Sequence, residues 1–97
     1  MSAAILVELK VKPEFTDEIK VLLKEILPDT RAFKGFRQIE IHENMDDPSD
    51  VVFYEVWDSR AHYEKYLAWR TETGFLDRLS PMLAAPPNIR FYSLVDV

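Results

Sequence analysis

The spacing of the hydrophobic residues changes repeatedly along this chain, and the order of the changes restricts the fold more than any other feature. Residues 4–11 alternate between apolar and polar, as in a half-buried strand. From Pro13 the apolar residues follow a helical period opposite a charged face. Pro28 and Asp29 predict the end of this helix, and Lys34-Gly35 predicts a break before the next element.

The second half of the chain repeats the pattern with a hairpin inserted. Residues 36–43 alternate again, residues 51–57 are rich in β-branched and aromatic side chains, and the segment NMDDPSD at 44–50 is dense in turn formers. Ser59 is placed to cap a second helix, which Gly74 interrupts, and shorter helical pieces follow before Pro86-Pro87. A last strand is expected over residues 88–95.

The predicted order is therefore βαββαβ, in one domain over residues 1–97. Elements in this order close into an α+β, ferredoxin-like fold, with a four-stranded antiparallel sheet and helices on one face. Apolar residues occur on both faces of the strands, and a domain of this size gains stability from a partner. We therefore expect a homodimer, in which two sheets pair as a dimeric α+β barrel.

Composition excludes several classes of function. The net charge of -5 and the lack of a basic cluster argue against nucleic acid as a partner, and no apolar run is long enough for a membrane span. The chain has no cysteine and only two histidines, so we expect no metal centre. The start of the chain shows no secretory pattern, so we expect a cytoplasmic location.

The aromatic run YEVWDSRAHYEKYLAWR, residues 54–70, carries most of the candidate functional residues. Glu55 shares a strand face with Phe53 and Trp57, where burial raises the pKa of a carboxyl group toward that of a general base. The alternative is an ion pair with Arg37 or Arg90. Trp57 is either a wall of a ligand pocket or part of the core.

The helical half of this run offers further candidates. Tyr63 and Tyr66 are either phenol donors to a substrate oxyanion or packing residues. His62 suits proton transfer, but its place early in the helix favours an exposed surface position. Trp69 and Arg70 either close the mouth of a pocket or contact a second chain.

Residues 33–67 resemble the antibiotic biosynthesis monooxygenase (ABM) domains, the quinol-monooxygenase-like branch of the dimeric α+β barrel superfamily. The shared marks are Gly35 after the first helix, the Asp47-Pro48 turn, and the motif formed by Glu55, Trp57 and Ser59. The resemblance implies oxygenation of phenols, hydroquinones or anthrone-type compounds by molecular oxygen, without metal, haem or flavin.

The resemblance also assigns individual residues. Trp57 matches a tryptophan that lines the family's cavity, and Tyr63 matches an aromatic donor on the helix. Phe53 and Tyr66 stand where relatives carry an asparagine and a histidine, and the family's arginine corresponds to Arg70 or Arg78.

Two functions follow as hypotheses. The first is a cofactor-independent monooxygenase with Glu55, Tyr63 and Tyr66 as catalytic residues; its substrate contacts would be Phe53, Trp57, His62, Trp69 and Arg70. The second is a non-catalytic dimeric ligand-binding or interaction domain on the same scaffold, since a fold does not determine a function. Haem degradation, also present in the superfamily, ranks third because Tyr66 replaces the expected histidine ligand.

Overall fold

The computed structural model describes residues 2–97 and confirms the ferredoxin-like α+β fold. The strands are β1 (Ala3–Lys10), β2 (Phe36–Asn44), β3 (Asp47–Trp57) and β4 (Asn88–Tyr92); the helices are α1 (Thr16–Ala32), α2 (Arg60–Glu72) and α3 (Phe75–Leu79). Short 3-10 turns at Pro13–Phe15 and Ser80–Met82 precede α1 and follow α3. The four strands lie in the order β2-β3-β1-β4, and every neighbouring pair is antiparallel.

The strand register separates the sheet into an inner and an outer face. Val7 of β1 lies opposite Phe53 of β3 and Ile89 of β4, on the inner face that the helices cover. The next residue back, Leu6, lies opposite Tyr54 and Arg90 on the outer face. Because side chains alternate along a strand, this register places the core entirely on one side of the sheet.

Helix α1 is longer than the sequence predicts. The expected end at Pro28 and Asp29 is wrong, because the helix continues to Ala32 with Pro28 inside it. Proline lacks the amide hydrogen that would bond the carbonyl of Lys24, but both residues are exposed, so water can satisfy that carbonyl. One turn later Thr30 is 1% exposed, and packing of this last turn holds the helix together beyond the proline.

The hairpin turn is shorter than predicted, and β3 starts earlier. The sequence predicts a turn over residues 44–50, but β3 begins at Asp47 and only residues 45–46 separate the strands. Asn44 Oδ1 accepts a hydrogen bond from the Asp46 amide at 2.8 Å and tightens the turn. Pro48 is tolerated in β3 because the pairing with β1 begins only at Asp50 and the pairing with β2 is irregular there.

The other strand ends differ slightly from the prediction. β1 ends at Lys10, and Val11 forms an isolated bridge with Leu83. β4 ends at Tyr92 rather than at residue 95, because its pairing with β1 ends at Ala4. Beyond it, Leu94, Val95 and Val97 are exposed.

Local signals at the ends of the helices are confirmed. Ser59 Oγ accepts a hydrogen bond from the His62 amide at 3.2 Å and caps α2. Gly35 has a φ of 93°, and a Cβ there would lie 2.5 Å from the His62 ring, so this position requires glycine twice over. Among residues 2–97, no helix combines the length and apolarity needed to cross a bilayer.

Candidate active site

A cavity of about 50 Å³ lies between the inner face of the sheet and the three helices. Most of its lining is aliphatic or aromatic and comes from all four strands and all three helices. Its polar or ionisable lining residues are Thr30, Glu55, Tyr63, Tyr66 and Arg70. A mainly apolar cavity with a few convergent polar groups is the usual form of a small-molecule site.

Within the described part of the chain, Glu55 is the one acidic side chain in the cavity lining, and it is 3% exposed. Burial raises the pKa of its carboxyl group from 4.5 to about 7, although a hydrogen bond from Trp57 acts in the opposite direction. In that bond Trp57 Nε1 donates to Glu55 Oε1 at 3.0 Å. The carboxyl group therefore changes its protonation near neutral pH, in a fixed orientation.

The expected alternative for Glu55, an ion pair with Arg37 or Arg90, is not formed. Arg37 Nε donates instead to Asp58 Oδ1 at 2.6 Å on the protein surface. Arg90 lies opposite Leu6, on the outer face of the sheet. Glu55 is therefore a buried carboxyl group without a cationic hydrogen-bond partner among residues 2–97.

Tyr63 faces Glu55 from helix α2 across the same cavity. Its ring packs edge-on against Trp57 and Phe91, with centroid distances of 5.7 and 5.8 Å. Burial, and then the charge of Glu55, raise the pKa of the Tyr63 hydroxyl well above its usual value. No side-chain hydrogen bond of residues 2–97 involves this hydroxyl, and its raised pKa keeps it protonated near neutral pH, so it is available as a neutral donor to a ligand.

Arg70 and Tyr66 are held in a hydrogen-bond network with the last turns of α1. Arg70 Nε donates to Tyr66 Oη at 2.9 Å, and Arg70 Nη2 donates to Thr30 Oγ1 at 2.9 Å and to the Ile26 carbonyl at 2.8 Å. Thr30 Oγ1 lies 2.7 Å from Tyr66 Oη and 3.4 Å from the Ile26 carbonyl, which it donates to. Since Thr30 gives its one hydroxyl proton to the Ile26 carbonyl, the proton shared between Thr30 and Tyr66 comes from Tyr66.

The same network places a positive charge at the cavity. Arg70 is 5% exposed and forms no ion pair with any carboxylate of residues 2–97. Its guanidinium group instead lies over the rings of Trp69 and Phe75, at 4.7 and 5.2 Å from their centroids. Arg78, the other arginine that the resemblance allowed, is exposed and bound to Glu25.

The structure brings five of the eight predicted site residues into the cavity lining: Phe53, Glu55, Tyr63, Tyr66 and Arg70. The other three lie outside it. Trp57 is 0% exposed and packs behind Glu55 against Phe33, Phe36 and the two tyrosines. His62 accepts or donates a 2.7 Å hydrogen bond with Ser59 beside Gly35, and Trp69 packs on Phe33 at the rim of a surface groove.

Thr30 is the site residue that sequence reasoning missed. The expected end of α1 at Pro28 excluded it from the helix. Its position four residues after Ile26, on the buried stripe of α1, was the available signal, because a polar residue on such a stripe needs a buried hydrogen-bond partner. No group of three or more potential metal ligands lies together among residues 2–97.

Comparisons with known proteins place the fold and the family. One curated relative, an uncharacterised protein of Synechocystis, is 24% identical over 88 residues, which cover 91% of this chain. The chain spans only 60% of the length of that relative.

Solved structures match over nearly the whole chain. A protein solved as an antibiotic biosynthesis monooxygenase has a TM-score of 0.86 at 20% identity, covering 97% of this chain and 99% of its own. A Mycobacterium tuberculosis protein has a TM-score of 0.85 at 18% identity, with 100% and 98% covered. A conserved Methanosarcina mazei protein also has a TM-score of 0.85 at 18% identity, with 95% and 91% covered. At these identities the likeness establishes a shared fold.

The family itself is established by the sequence match. The model of the family described as antibiotic biosynthesis monooxygenase matches residues 2–75, which include β1, α1, the β2–β3 hairpin and α2. The chain therefore belongs to the antibiotic biosynthesis monooxygenase family.

Proposed function

We propose that this protein is a monooxygenase that oxidises a small phenolic, quinol or anthrone-type substrate with molecular oxygen, without a metal or flavin. The observation that carries the proposal is Glu55, a buried carboxyl group with a pKa of about 7 in the wall of an apolar cavity. A base with this pKa is half ionised near neutral pH, where proton abstraction by a carboxylate is most efficient. Membership of the family supports the same reaction type.

In the proposed reaction the substrate supplies the electrons. Glu55 removes a proton from an acidic C–H or O–H group, and the resulting anion transfers an electron pair to molecular oxygen. For an anthrone-type substrate, the methylene carbon loses both of its hydrogens and gains one atom of the oxygen molecule, which makes it a ketone carbonyl. The other oxygen atom leaves with the two hydrogens as one molecule of water. The proton taken by Glu55 returns in that water.

The remaining cavity residues would stabilise the anion. The free hydroxyl of Tyr63 would donate to the oxyanion, and the charge of Arg70 would favour an anion over the neutral substrate. Tyr66 would act through Arg70, because its own proton is engaged by Thr30. Phe53 would pack on the substrate ring.

The three predicted residues outside the cavity receive other roles. Trp57 would orient the Glu55 carboxyl group through its indole N–H rather than contact the substrate. His62 and Trp69 would support α2 from outside the cavity. Substrate contact by these two residues has no support in their positions.

We further propose that two copies pair through the outer face of the sheet. Leu6, Val52 and Val56 are only half-buried there, and Tyr54 and Tyr92 are 37% and 45% exposed. A second copy would cover this apolar face. The cavity is on the opposite face, so each copy would hold a complete site.

A non-catalytic ligand-binding domain is the second candidate. Phe53 provides no hydrogen bond where the resemblance places an asparagine, and the Tyr66 hydroxyl is fully engaged by Thr30 and Arg70. Such a protein would bind an aromatic anion through Arg70 and Tyr63 without turning it over.

Oxygen consumption tests the proposal. Metal-stripped protein would be assayed with anthrone, hydroquinones and naphthols, alongside the Glu55→Gln and Tyr63→Phe variants and the exposed control Glu72→Gln. We expect uptake that needs no added cofactor, falls at least about tenfold in Glu55→Gln and is unchanged in Glu72→Gln. Ligand binding by thermal shift without any uptake would replace the enzyme with the binding domain.

A further inference from the structure

The cavity is too small for the ligand that the proposed function requires. Its volume is about 50 Å³, whereas sites for drug-sized ligands have volumes of roughly 300–1,000 Å³. A two-ring aromatic compound therefore needs space that adjoins the cavity. The neighbouring surface grooves differ in which residues they share with it.

An open groove of about 530 Å³ lies beside the cavity, between α1 and β2. It shares Leu23, Leu27 and Ile41 with the cavity lining, so these aliphatic side chains form the common wall. Leu27 and Ile41 are only half-buried. Rotation of such side chains would join the two spaces without breaking a hydrogen bond.

The charged residues that line this α1–β2 groove are all basic, although the protein as a whole is acidic. Lys20, Lys24 and Arg31 line it, at positions that fall on one side of α1, and no acidic side chain of residues 2–97 is in the lining. Lys20 pairs with Glu43 at 3.0 Å, but Lys24 and Arg31 form no ion pair with residues 2–97. A cationic groove on a chain of net charge -5 attracts anions to one place on its surface.

The other groove that shares several residues with the cavity is a poorer entrance. It lies near Arg70 and Phe75, and its lining mixes Glu25 and Asp29 with Arg78. Arg70 is part of the wall there and is held by hydrogen bonds to Tyr66, Thr30 and the Ile26 carbonyl. Opening this wall would break that network, and the mixed charges would give no preference for an anion.

We propose that the α1–β2 groove is the outer half of the ligand site. It binds a carboxylate or similar anionic substituent of the ligand at Lys24 and Arg31. The aromatic ring of the ligand enters the cavity past Leu27 and Ile41. The inference rests on the proposed function for the ring, and adds that the ligand is an aromatic acid. Because Lys24 and Arg31 are exposed to solvent, salt weakens their attraction for the anionic group of the ligand.

Calorimetric titration with two matched probes tests the inference. 1-Naphthol and 1-hydroxy-2-naphthoate share the ring system and differ in the carboxylate. We expect Lys24→Glu and Arg31→Glu each to weaken binding of the naphthoate about three- to tenfold and to leave naphthol binding within about twofold. Lys65→Glu makes the same change of charge on the exposed face of α2 and should affect neither probe.

A second variant tests the route of the ring. Leu27→Trp fills the common wall and should weaken both probes, whereas a ring that enters elsewhere would bind as before. A different outcome is that naphthol binds while Lys24→Glu and Arg31→Glu weaken naphthoate binding no more than Lys65→Glu does. That result overturns the groove inference and leaves the proposed function standing. If neither probe binds the unmodified protein, the aromatic-ligand function fails, and the inference fails with it.

Discussion

Replacing Glu55 with glutamine should make the protein more stable at alkaline pH. The folded state raises the pKa of Glu55 from 4.5 to about 7, mainly by burial. Between these pH values the folded protein holds a proton that the unfolded chain releases. The contribution of this group to stability is therefore fully present below about pH 4.5 and is lost as pH rises through about 7.

The magnitude follows from the difference between the two pKa values. Ionising Glu55 in the folded protein costs about 3 kcal/mol relative to the unfolded chain, as an order-of-magnitude figure. Glutamine has a similar shape, cannot ionise, and can still accept the hydrogen bond from Trp57 Nε1. Glu55→Gln should therefore match the unmodified protein near pH 4 and exceed its free energy of unfolding by about 3 kcal/mol near pH 9.

Urea denaturation of both proteins from about pH 4 to about pH 9 measures this difference directly. Other titrating groups, including Asp50 and Asp58 with their lowered pKa values, are common to both proteins and cancel. Glu72→Gln, an exposed control, keeps Glu55, so its free energy of unfolding should differ from that of the unmodified protein by the same small amount at every pH. A difference that stays flat over this range, or is already complete by about pH 5.5, would refute the placement of Glu55 as a buried base.

Three further changes test the hydrogen-bond network at Thr30, the close contact at Gly35 and the proposed dimer contact. Thr30→Val removes the acceptor for the Tyr66 proton and for one Arg70 N–H, and should lower the free energy of unfolding by about 1–3 kcal/mol. The control Thr71→Val, at an exposed position, should lower it by less than about 0.5 kcal/mol. Equal losses in the two variants would contradict the hydrogen-bond network. Gly35→Ala should lower the free energy of unfolding by about 2 kcal/mol or more, and adding His62→Ala should restore part of that stability. If the double variant is no more stable than Gly35→Ala, the contact with the His62 ring is not the cause of the loss. Leu6→Glu places a charge on the outer face and should convert a dimer to a folded monomer in sedimentation experiments, whereas an unchanged mass would place the dimer contact elsewhere.

Much of the fold was predictable because local signals agree with the tertiary structure. The alternation in residues 4–11 and 36–43, the cap at Ser59 and the glycines at positions 35 and 74 all mark real boundaries to within a few residues. The failure at Pro28 has a physical reason. A proline ends a helix when its lost hydrogen bond is not offset, and here burial of Thr30 one turn later offsets it.

The site was predictable in part, since residues on one strand face or helix stripe must converge. Glu55 and Phe53 alternate on β3, and Tyr63, Tyr66 and Arg70 follow helical spacing on α2, so all five reach the cavity. Trp57 shares the face of Glu55, but aromatic packing from neighbouring elements encloses it completely. The burial of Trp57 depends on contacts between elements that are distant in sequence, and residue spacing along the chain does not predict such contacts.

The Lys24 and Arg31 groove was hidden for a related reason. With the helix expected to end at Pro28, Arg31 fell outside it and shared no face with Lys24. Only the continuation of α1 to Ala32 aligns the two cations beside Ile41 of β2. The wrong prediction of where α1 ends therefore explains why sequence reasoning missed both Thr30 and the alignment of Lys24 with Arg31.

The most direct test of the central claim is the fate of labelled oxygen during oxidation of anthrone. Metal-stripped protein would be incubated with anthrone under 18O-labelled oxygen gas, and the product analysed by mass spectrometry against a buffer blank and Glu55→Gln. We predict anthraquinone carrying one labelled oxygen atom, formed well above the blank rate and at least about tenfold more slowly in the variant. Formation at the blank rate, or equal rates for the protein and the variant, would contradict catalysis by Glu55 in this cavity.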